Sequence, residues 1–159
     1  MKTLVAGVGN IFFGDDGFGL EVARLLGERP MPEGVRVADF GIRGIHLAFE
    51  LLSGYDRAFL IDAVSRGGEP GTLYVIEPDL NARGGVPDSH SMELQSVFAF
   101  MHQLEGPRPL IEIIGCEPSV LDDRMELSEP VRRALPAALA VIERKLGDSV
   151  YAASPEAIS

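Results

Sequence analysis

An acidic pair lies inside a glycine-rich segment close to the start of the chain. Asp15 and Asp16 stand within Gly7–Gly19, directly after the apolar run Leu4-Val5-Ala6. The glycines permit tight turns, so the carboxylates can be directed into a crevice between a strand and the helix after it. Acids at a helix start occupy its free N–H groups and repel anions, which favours a cation over a phosphate. The dinucleotide fingerprint is also excluded, because it needs a glycine where this chain has Phe12.

Two further side chains could act together with Asp16. Asp62 ends the apolar run Phe59-Leu60-Ile61, and His90 stands in a polar loop that leads into a predicted helix. Taken singly, Asp62 could be a structural cap and His90 a surface residue. Together, Asp16, Asp62 and His90 would provide two oxygen donors and one nitrogen donor, which suits nickel, zinc, manganese or iron. Because their spacing is not a motif by itself, most of this inference depends on the glycine-rich segment.

The remaining histidines and the single cysteine have simpler interpretations. His46 is predicted to be solvated or at an interface, and His102 to lie in the last turn of a helix. Cys116 is interpreted as a buried structural thiol, because Glu117 beside it would raise rather than lower the thiol pKa.

A second glycine-containing loop follows the second predicted strand. Asp39, Gly41 and Arg43 in this loop are predicted to form the rim of the crevice. The residues alone leave open whether Arg43 holds an acidic group or is only solvated.

Short apolar runs alternate with longer stretches of helical periodicity, which is typical of an α/β sheet covered on both faces. Five strands are predicted over Thr3–Val8, Val35–Phe40, Arg57–Ala63, Gly71–Glu77 and Leu110–Gly115. Helices are predicted over Phe18–Gly27, Ile45–Leu52, Ser91–His102 and Glu129–Leu146, the second with Ile45, Ala48, Phe49 and Leu52 on one face.

The connection between the third and fourth strands determines the topology. Val64–Pro70 is too short for a right-handed crossover, so the fourth strand is predicted to be antiparallel and near an edge. If the first and third strands are neighbours, the crevice lies between their carboxyl ends, where Asp62 would face the acidic pair.

Length and charge limit the class of protein. A chain of 159 residues fits one α/β domain, predicted over residues 1–146, with a flexible tail over 147–159. A net charge of −10 argues against nucleic acid or an anionic membrane as a partner and favours a basic peptide. One cysteine cannot form an internal disulfide, and the absence of a signal-length apolar segment predicts a cytoplasmic protein.

The motif residues resemble those of the hydrogenase maturation proteases. The resemblance is carried by Gly7-x-Gly9-Asn10, Gly14-Asp15-Asp16-Gly17-x-Gly19, Asp62-Ala63 and His90, and it spans residues 3 to about 145. It implies a three-layer α/β/α sandwich with a five-stranded mixed sheet in the order 2-1-3-5-4, the fourth strand antiparallel. It also implies an endopeptidase that removes a C-terminal extension from the large-subunit precursor of [NiFe] hydrogenase after nickel insertion.

The resemblance assigns roles to individual residues. It places the metal-interacting groups on Asp16, Asp62 and His90, with the nickel supplied by the precursor rather than held as a permanent cofactor. Many members carry Asp-Gly-Gly-Thr-x-Gly where this chain has Asp39-Phe40-Gly41-Ile42-Arg43-Gly44, so Phe40 and Ile42 are predicted to make the rim more apolar.

Two alternatives come from other classes. A receiver-like phosphoacceptor switch would use Asp62 as the phosphorylated residue, although the fifth strand ends without the lysine that receivers use. A metal-independent protease or a non-enzymatic chaperone could be built on the same scaffold. Cleavage of a nickel-loaded precursor and labelling of Asp62 by acetyl phosphate separate these hypotheses.

Overall fold

A mixed sheet of five strands forms the centre of the fold in the computed structural model, which describes residues 1–80 and 92–153. The strands are β1 (Thr3–Val8), β2 (Val35–Gly41), β3 (Arg57–Ala63), β4 (Leu73–Ile76) and β5 (Leu110–Cys116). The helices are α1 (Phe18–Gly27), α2 (Gly44–Leu51), α3 (Met92–His102) and α4 (Glu129–Ala153), and a 3-10 turn at Gly14–Gly17 precedes α1.

The sheet has the strand order β2-β1-β3-β5-β4. Neighbouring pairs among β1, β2, β3 and β5 are parallel, and β4 alone runs antiparallel, against β5. The predicted topology is therefore confirmed, including the antiparallel edge strand that the short connection after β3 requires. The carboxyl ends of β1 and β3 lie side by side and form the edge at which the acidic residues gather.

Successive residues of β1 contribute to different cores, as the period of two in a strand requires. Leu4, Ala6 and Val8 face the core that contains residues of α2 and α3. Val5 faces the second core, which contains residues of α1 and α4. Helices therefore cover both faces of the sheet, and the predicted three-layer arrangement is confirmed.

Several predicted boundaries need correction. β2 ends at Gly41 and β5 at Cys116, each one residue later than predicted, whereas β4 is shorter and covers only Leu73–Ile76. α2 begins at Gly44 and ends at Leu51, and the predicted start of α3 at Ser91 lies outside the described residues. α4 continues beyond Leu146 to Ala153, so the predicted end of this helix was too early.

The predicted apolar face of α2 was wrong at Ile45 and Phe49, whereas Ala48 is buried and Leu52 packs against the core as predicted. The buried residues of α2 are Leu47, Ala48 and Leu51, whereas Ile45 and Phe49 are 58% and 55% exposed. The helix carries apolar side chains around most of its circumference, so their spacing does not identify the side that packs on the sheet. Phe49 contacts the edge of the Phe100 ring in α3, with centroids 5.6 Å apart.

Close packing of α1 against the sheet depends on glycine. A Cβ atom at Gly19 would overlap the backbone oxygen of Ile61 and lie 2.6 Å from that of Val8. A Cβ atom at Gly7 would in turn overlap the backbone oxygen of Gly19. These two glycines allow the start of α1 to contact the ends of β1 and β3 directly, and so fix the acidic turn before it.

We expect Gly19→Ala to reduce the free energy of unfolding by about 2–3 kcal/mol, the cost typical of an overpacked site. The methyl group would have to displace two strand ends, because its nearest neighbours are backbone atoms. Gly27→Ala is the matched control, since no atom lies within 4 Å of a Cβ atom there. Urea unfolding followed by circular dichroism measures both variants, and equal stabilities would contradict the proposed close contact.

Candidate functional site

The backbone of Asp16 and the side chain of Asp62 both lie next to Gly9, at the carboxyl end of β1. Gly9 has φ +130°, and a Cβ atom there would overlap the backbone oxygen of Asp16 and lie 3.4 Å from Asp62 Oδ1. Only a glycine permits both the backbone conformation and this approach. The 3-10 turn therefore folds over Gly9 next to the end of β3, at the parallel-strand crevice predicted from the sequence.

The half-buried carboxylate of Asp16 organises the loop before it. Its Oδ2 accepts a hydrogen bond from the backbone N–H of Asn10 at 2.9 Å. Asn10 Oδ1 in turn accepts one from the N–H of Phe12 at 2.9 Å. The loop between β1 and the 3-10 turn is thus held by its own polar groups, in an Asx-type arrangement.

The carboxylate of Asp62 is fully buried near the end of β3. Asp62 Oδ1 accepts a hydrogen bond from the N–H of Ala63 at 2.8 Å. A buried carboxylate at the carboxyl ends of parallel strands is a candidate functional group, because ligands bind at this position in α/β sheets.

Asp15 points away from Asp16, contrary to the prediction that both acids of the pair face the crevice. Its side chain is fully buried and accepts hydrogen bonds from the loop between β5 and α4. The donors are the N–H groups of Ser119, Val120 and Ser128, at 2.7–2.8 Å, and the Ser128 hydroxyl at 2.8 Å. Asp15 therefore attaches this loop to the turn that carries Asp16.

The charge of Asp15 is stabilised in spite of its burial. Burial acts to raise the pKa of this carboxyl, but the hydrogen bonds from Val120, Ser128 and Ser119 outweigh it and lower the pKa below its ordinary value of 3.8. Asp15 is consequently ionised at neutral pH and acts as a fixed structural anion. The sequence gives no sign of this role, because the partners lie more than 100 residues away.

Glu117 is a second buried acid whose role sequence reasoning missed. Its Oε1 accepts hydrogen bonds from the N–H groups of Arg66 and Gly68 and from the Tyr74 hydroxyl, at 2.7–3.0 Å. Burial acts to raise the pKa of Glu117, and these donors lower it below the usual range. Glu117 thus holds the loop between β3 and β4 beside the end of β5.

Cys116 is buried, as predicted. Burial, with smaller contributions from the charges of Asp15 and Glu117, raises the pKa of its thiol to about 12. The predicted direction was correct, although burial rather than Glu117 is the main cause. A thiol with this pKa is a poor nucleophile at neutral pH.

The histidine of the predicted donor set, His90, lies outside the described residues. His46 and His102 are both exposed. Within residues 1–80 and 92–153, no group of three histidine, cysteine or acidic side chains is placed to hold a metal ion. The predicted donor set Asp16, Asp62 and His90 therefore stays a prediction.

The predicted rim residues lie beside the crevice. Asp39 and Gly41 line a groove next to Gly9, and the side chain of Asp39 is 66% exposed. Arg43 donates hydrogen bonds to the backbone oxygens of Phe40 and Asp39, at 3.2 and 2.7 Å. Of the two residues predicted to make the rim apolar, Ile42 is 63% exposed, whereas Phe40 is buried in the core and does not contribute.

The groove itself has a volume of about 560 Å³. Gly9, Asn10 and Gly17, which surround Asp16, form one part of its lining. The apolar part of the lining consists of Ile11, Phe12, Leu20, Ile42, Met125 and Leu127, which we call the apolar groove. We call Asp16 and Asp62 the acidic site. The loop between β1 and the 3-10 turn, which Asp16 holds, thus also lines the apolar groove.

Comparison with known proteins identifies the class of enzyme. The family model for hydrogenase maturation proteases matches residues 20–145. The delta subunit of coenzyme F420 hydrogenase from Methanothermobacter thermautotrophicus is 33% identical, over 93% of this chain and 96% of that protein. The hydrogenase expression/formation protein HupM of Azotobacter chroococcum is 37% identical, over 97% of this chain and 76% of its own.

Solved structures of related proteins have the same fold as this chain. The hydrogenase 2 maturation peptidase of a Thaumarchaeota archaeon superposes with a TM-score of 0.72 at 33% identity, covering 92% of this chain and 99% of its own. The Escherichia coli maturating endopeptidase HybD gives a TM-score of 0.79 at 23% identity, covering 94% of each chain, and supports the fold.

The chain belongs to the hydrogenase maturation protease family, and it is accordingly a peptidase, an enzyme of the hydrolase class. The resemblance drawn from the glycine-rich segment and Asp62 is confirmed. Membership of this family excludes two of the alternatives, the receiver-like switch and the non-enzymatic chaperone.

Proposed function

We propose that this protease removes the C-terminal extension of a [NiFe] hydrogenase large-subunit precursor after nickel insertion. We further propose that Asp16, Asp62 and His90 contact the nickel of the precursor and so detect that it has been inserted. The observation that carries the proposal is that the buried Asp62 side chain and the turn carrying Asp16 both lie against Gly9, which lines a groove large enough for a polypeptide segment. Family membership supports the substrate, and the acidic pair supports the recognition of a cation.

The donor chemistry fits nickel presented by a substrate. Two carboxylate oxygens and one imidazole nitrogen suit nickel, and leave coordination positions for ligands of the precursor. Two acids side by side repel each other, and an arriving cation offsets this cost. An incomplete donor set of this kind favours reversible over permanent binding of nickel, which is needed if the nickel belongs to the substrate.

The same carboxylates can serve hydrolysis. A carboxylate beside a peptide carbonyl can accept a proton from the attacking water, which is the general-base role a peptidase needs. Asp62 is held by Ala63, and Asp16 by Asn10, so neither side chain has to reorganise for this step.

Charge supports a protein partner. With a net charge of −10, the protease is poorly suited to nucleic acid or an anionic membrane surface. In the part of the chain that the structure describes, no helix has the length and apolar character needed to cross a membrane. We propose that the partner is the precursor and that processing takes place in the cytoplasm.

The proposal predicts a joint loss of metal binding and cleavage in His90→Ala. Calorimetric titration of the isolated wild-type protein with nickel should show weak binding, which decreases at acid pH because a protonated imidazole cannot bind a metal. Cleavage of nickel-loaded precursor should fall together with this binding, and Asp16→Asn should behave in the same way because a neutral amide is a poor ligand.

His46→Ala and His102→Ala are matched controls, since both side chains are exposed on helices. They should retain nickel binding and cleavage. Metal-free precursor should not be cleaved by the wild-type protein. If His90→Ala processes the loaded precursor at the normal rate, or if metal-free precursor is cleaved equally well, the metal-independent protease is the correct interpretation.

A further inference from the structure

Large apolar side chains remain exposed along the apolar groove. Phe12, Ile42 and Met125 are 62%, 63% and 65% exposed. Single exposed apolar residues are common on protein surfaces, but a contiguous group that lines a concavity marks a binding site. These three residues come from three separate segments of the chain, and all line the same groove.

The charged residues of the groove are largely engaged with one another. Arg24 forms ion pairs with Glu21 at 2.7 Å and with Glu28 at 3.0 Å. Arg24 is therefore paired within the protein, and the large exposed side chains of the groove, Phe12, Ile42 and Met125, are apolar.

One wall of the groove is fixed in place by Asp15. Met125 and Leu127 belong to the loop that Asp15 holds through Ser119, Val120 and Ser128. In addition, the N–H of Gly14 donates to the backbone oxygen of Arg124 at 2.6 Å. A wall held by hydrogen bonds on both sides of Met125 is ordered before binding, which reduces the entropy lost when a ligand docks.

Two further exposed apolar side chains lie on α2. Ile45 and Phe49, which were predicted to lie on the apolar face of this helix, are one helical turn apart and are both exposed. Ile42, which lines the groove, lies two residues before Gly44, the first residue of α2.

We infer that the apolar groove binds an apolar segment of the precursor polypeptide, and that Phe12, Ile42 and Met125 determine the specificity for it. This inference rests on the proposed function. The argument for this occupant is continuity, because Gly9, Asn10 and Gly17 line the groove and also surround Asp16. A second copy of this chain seated in the groove would close the crevice that a peptidase must keep open for its substrate.

The test compares Phe12→Ser and Ile42→Ser with wild type in the cleavage of nickel-loaded precursor. Each variant should raise the half-saturating precursor concentration about tenfold, the loss expected when one large apolar side chain no longer leaves water on binding. The maximal rate should stay unchanged, because neither side chain belongs to the acidic site. Leu110→Ser is the matched control. Leu110 is 77% exposed at the amino end of β5, whereas the groove lies at the carboxyl ends of the parallel strands.

Binding of the precursor is measured separately in an Asp62→Asn background, in which cleavage is expected to be lost, and each groove variant is compared with the Asp62→Asn protein itself. If wild type does not cleave the precursor but Ile42→Ser still weakens its binding, the proposed function fails and the groove assignment stands. If wild type cleaves and both groove variants keep the normal half-saturating concentration, the groove assignment is wrong. A wild-type dimer that Ile42→Ser converts to monomer, with cleavage unchanged, would also overturn it and identify a self-interface.

Discussion

Asp62→Asn is expected to reduce precursor cleavage by at least about 100-fold, the range for loss of a general acid or base, with the fold intact. The substitution conserves the shape of a fully buried side chain and retains an oxygen that can accept from the Ala63 N–H. It removes the negative charge that both cation recognition and proton transfer require. Cleavage is measured with nickel-loaded precursor, and the fold by circular dichroism and melting temperature.

The control for this prediction lies at the other end of the same strand. Asp56 is exposed just before β3 and accepts a hydrogen bond from the N–H of Lys2 at 2.7 Å. Asp56→Asn should leave cleavage unchanged. An Asp62→Asn protein that has lost its native circular dichroism would show that Asp62 is needed for folding, and one that cleaves normally would contradict its place in the active site.

Asp15→Ala is expected to lower the free energy of unfolding by at least about 3 kcal/mol, because it leaves buried N–H donors without their charged partner. The donors that lose the carboxylate belong to Ser119, Val120 and Ser128. Urea unfolding at pH 7 measures the effect. A loss below about 0.5 kcal/mol, typical of an unimportant surface site, would show that the loop does not depend on Asp15.

The pH dependence of this effect has a definite sign. The pKa of Asp15 is lower in the folded protein than its ordinary value of 3.8, so the folded state favours the ionised form. Its contribution to stability is fully present above about pH 4 and is lost as the pH falls through the lower folded-state value. The difference in unfolding free energy between wild type and Asp15→Asn should therefore shrink only at acid pH. A difference that is constant down to pH 2 would contradict the lowered pKa.

The antiparallel direction of β4 was predictable because it depends on a local feature, whereas the full strand order was implied only by the family resemblance. The connection Val64–Pro70 allows only an antiparallel strand after β3, and alternating apolar runs identify the strands themselves. The position of Asp62 next to the turn that carries Asp16 follows from the parallel pairing of β1 and β3, whose carboxyl ends lie at one edge.

The roles of neighbouring acids were not predictable in the same way. Asp15 and Asp16 are adjacent and chemically identical, and their different orientations depend on Ser119, Val120 and Ser128 far along the chain. The buried face of α2 was missed for a related reason. Its outward side chains, Ile45 and Phe49, are as apolar as those that pack inward, so periodicity alone could not separate them.

The hydrogen bonds of Asp15 also make the order of synthesis matter. Asp15 leaves the ribosome long before Ser128, so until the end of the loop after β5 has been made its carboxylate lacks the donors that bury it in the native state. A nascent chain that stops before residue 119 can form β1 and α1, but it cannot enclose Asp15 or build the groove wall at Met125. The groove wall at Met125 is therefore completed only after most of the chain has been made.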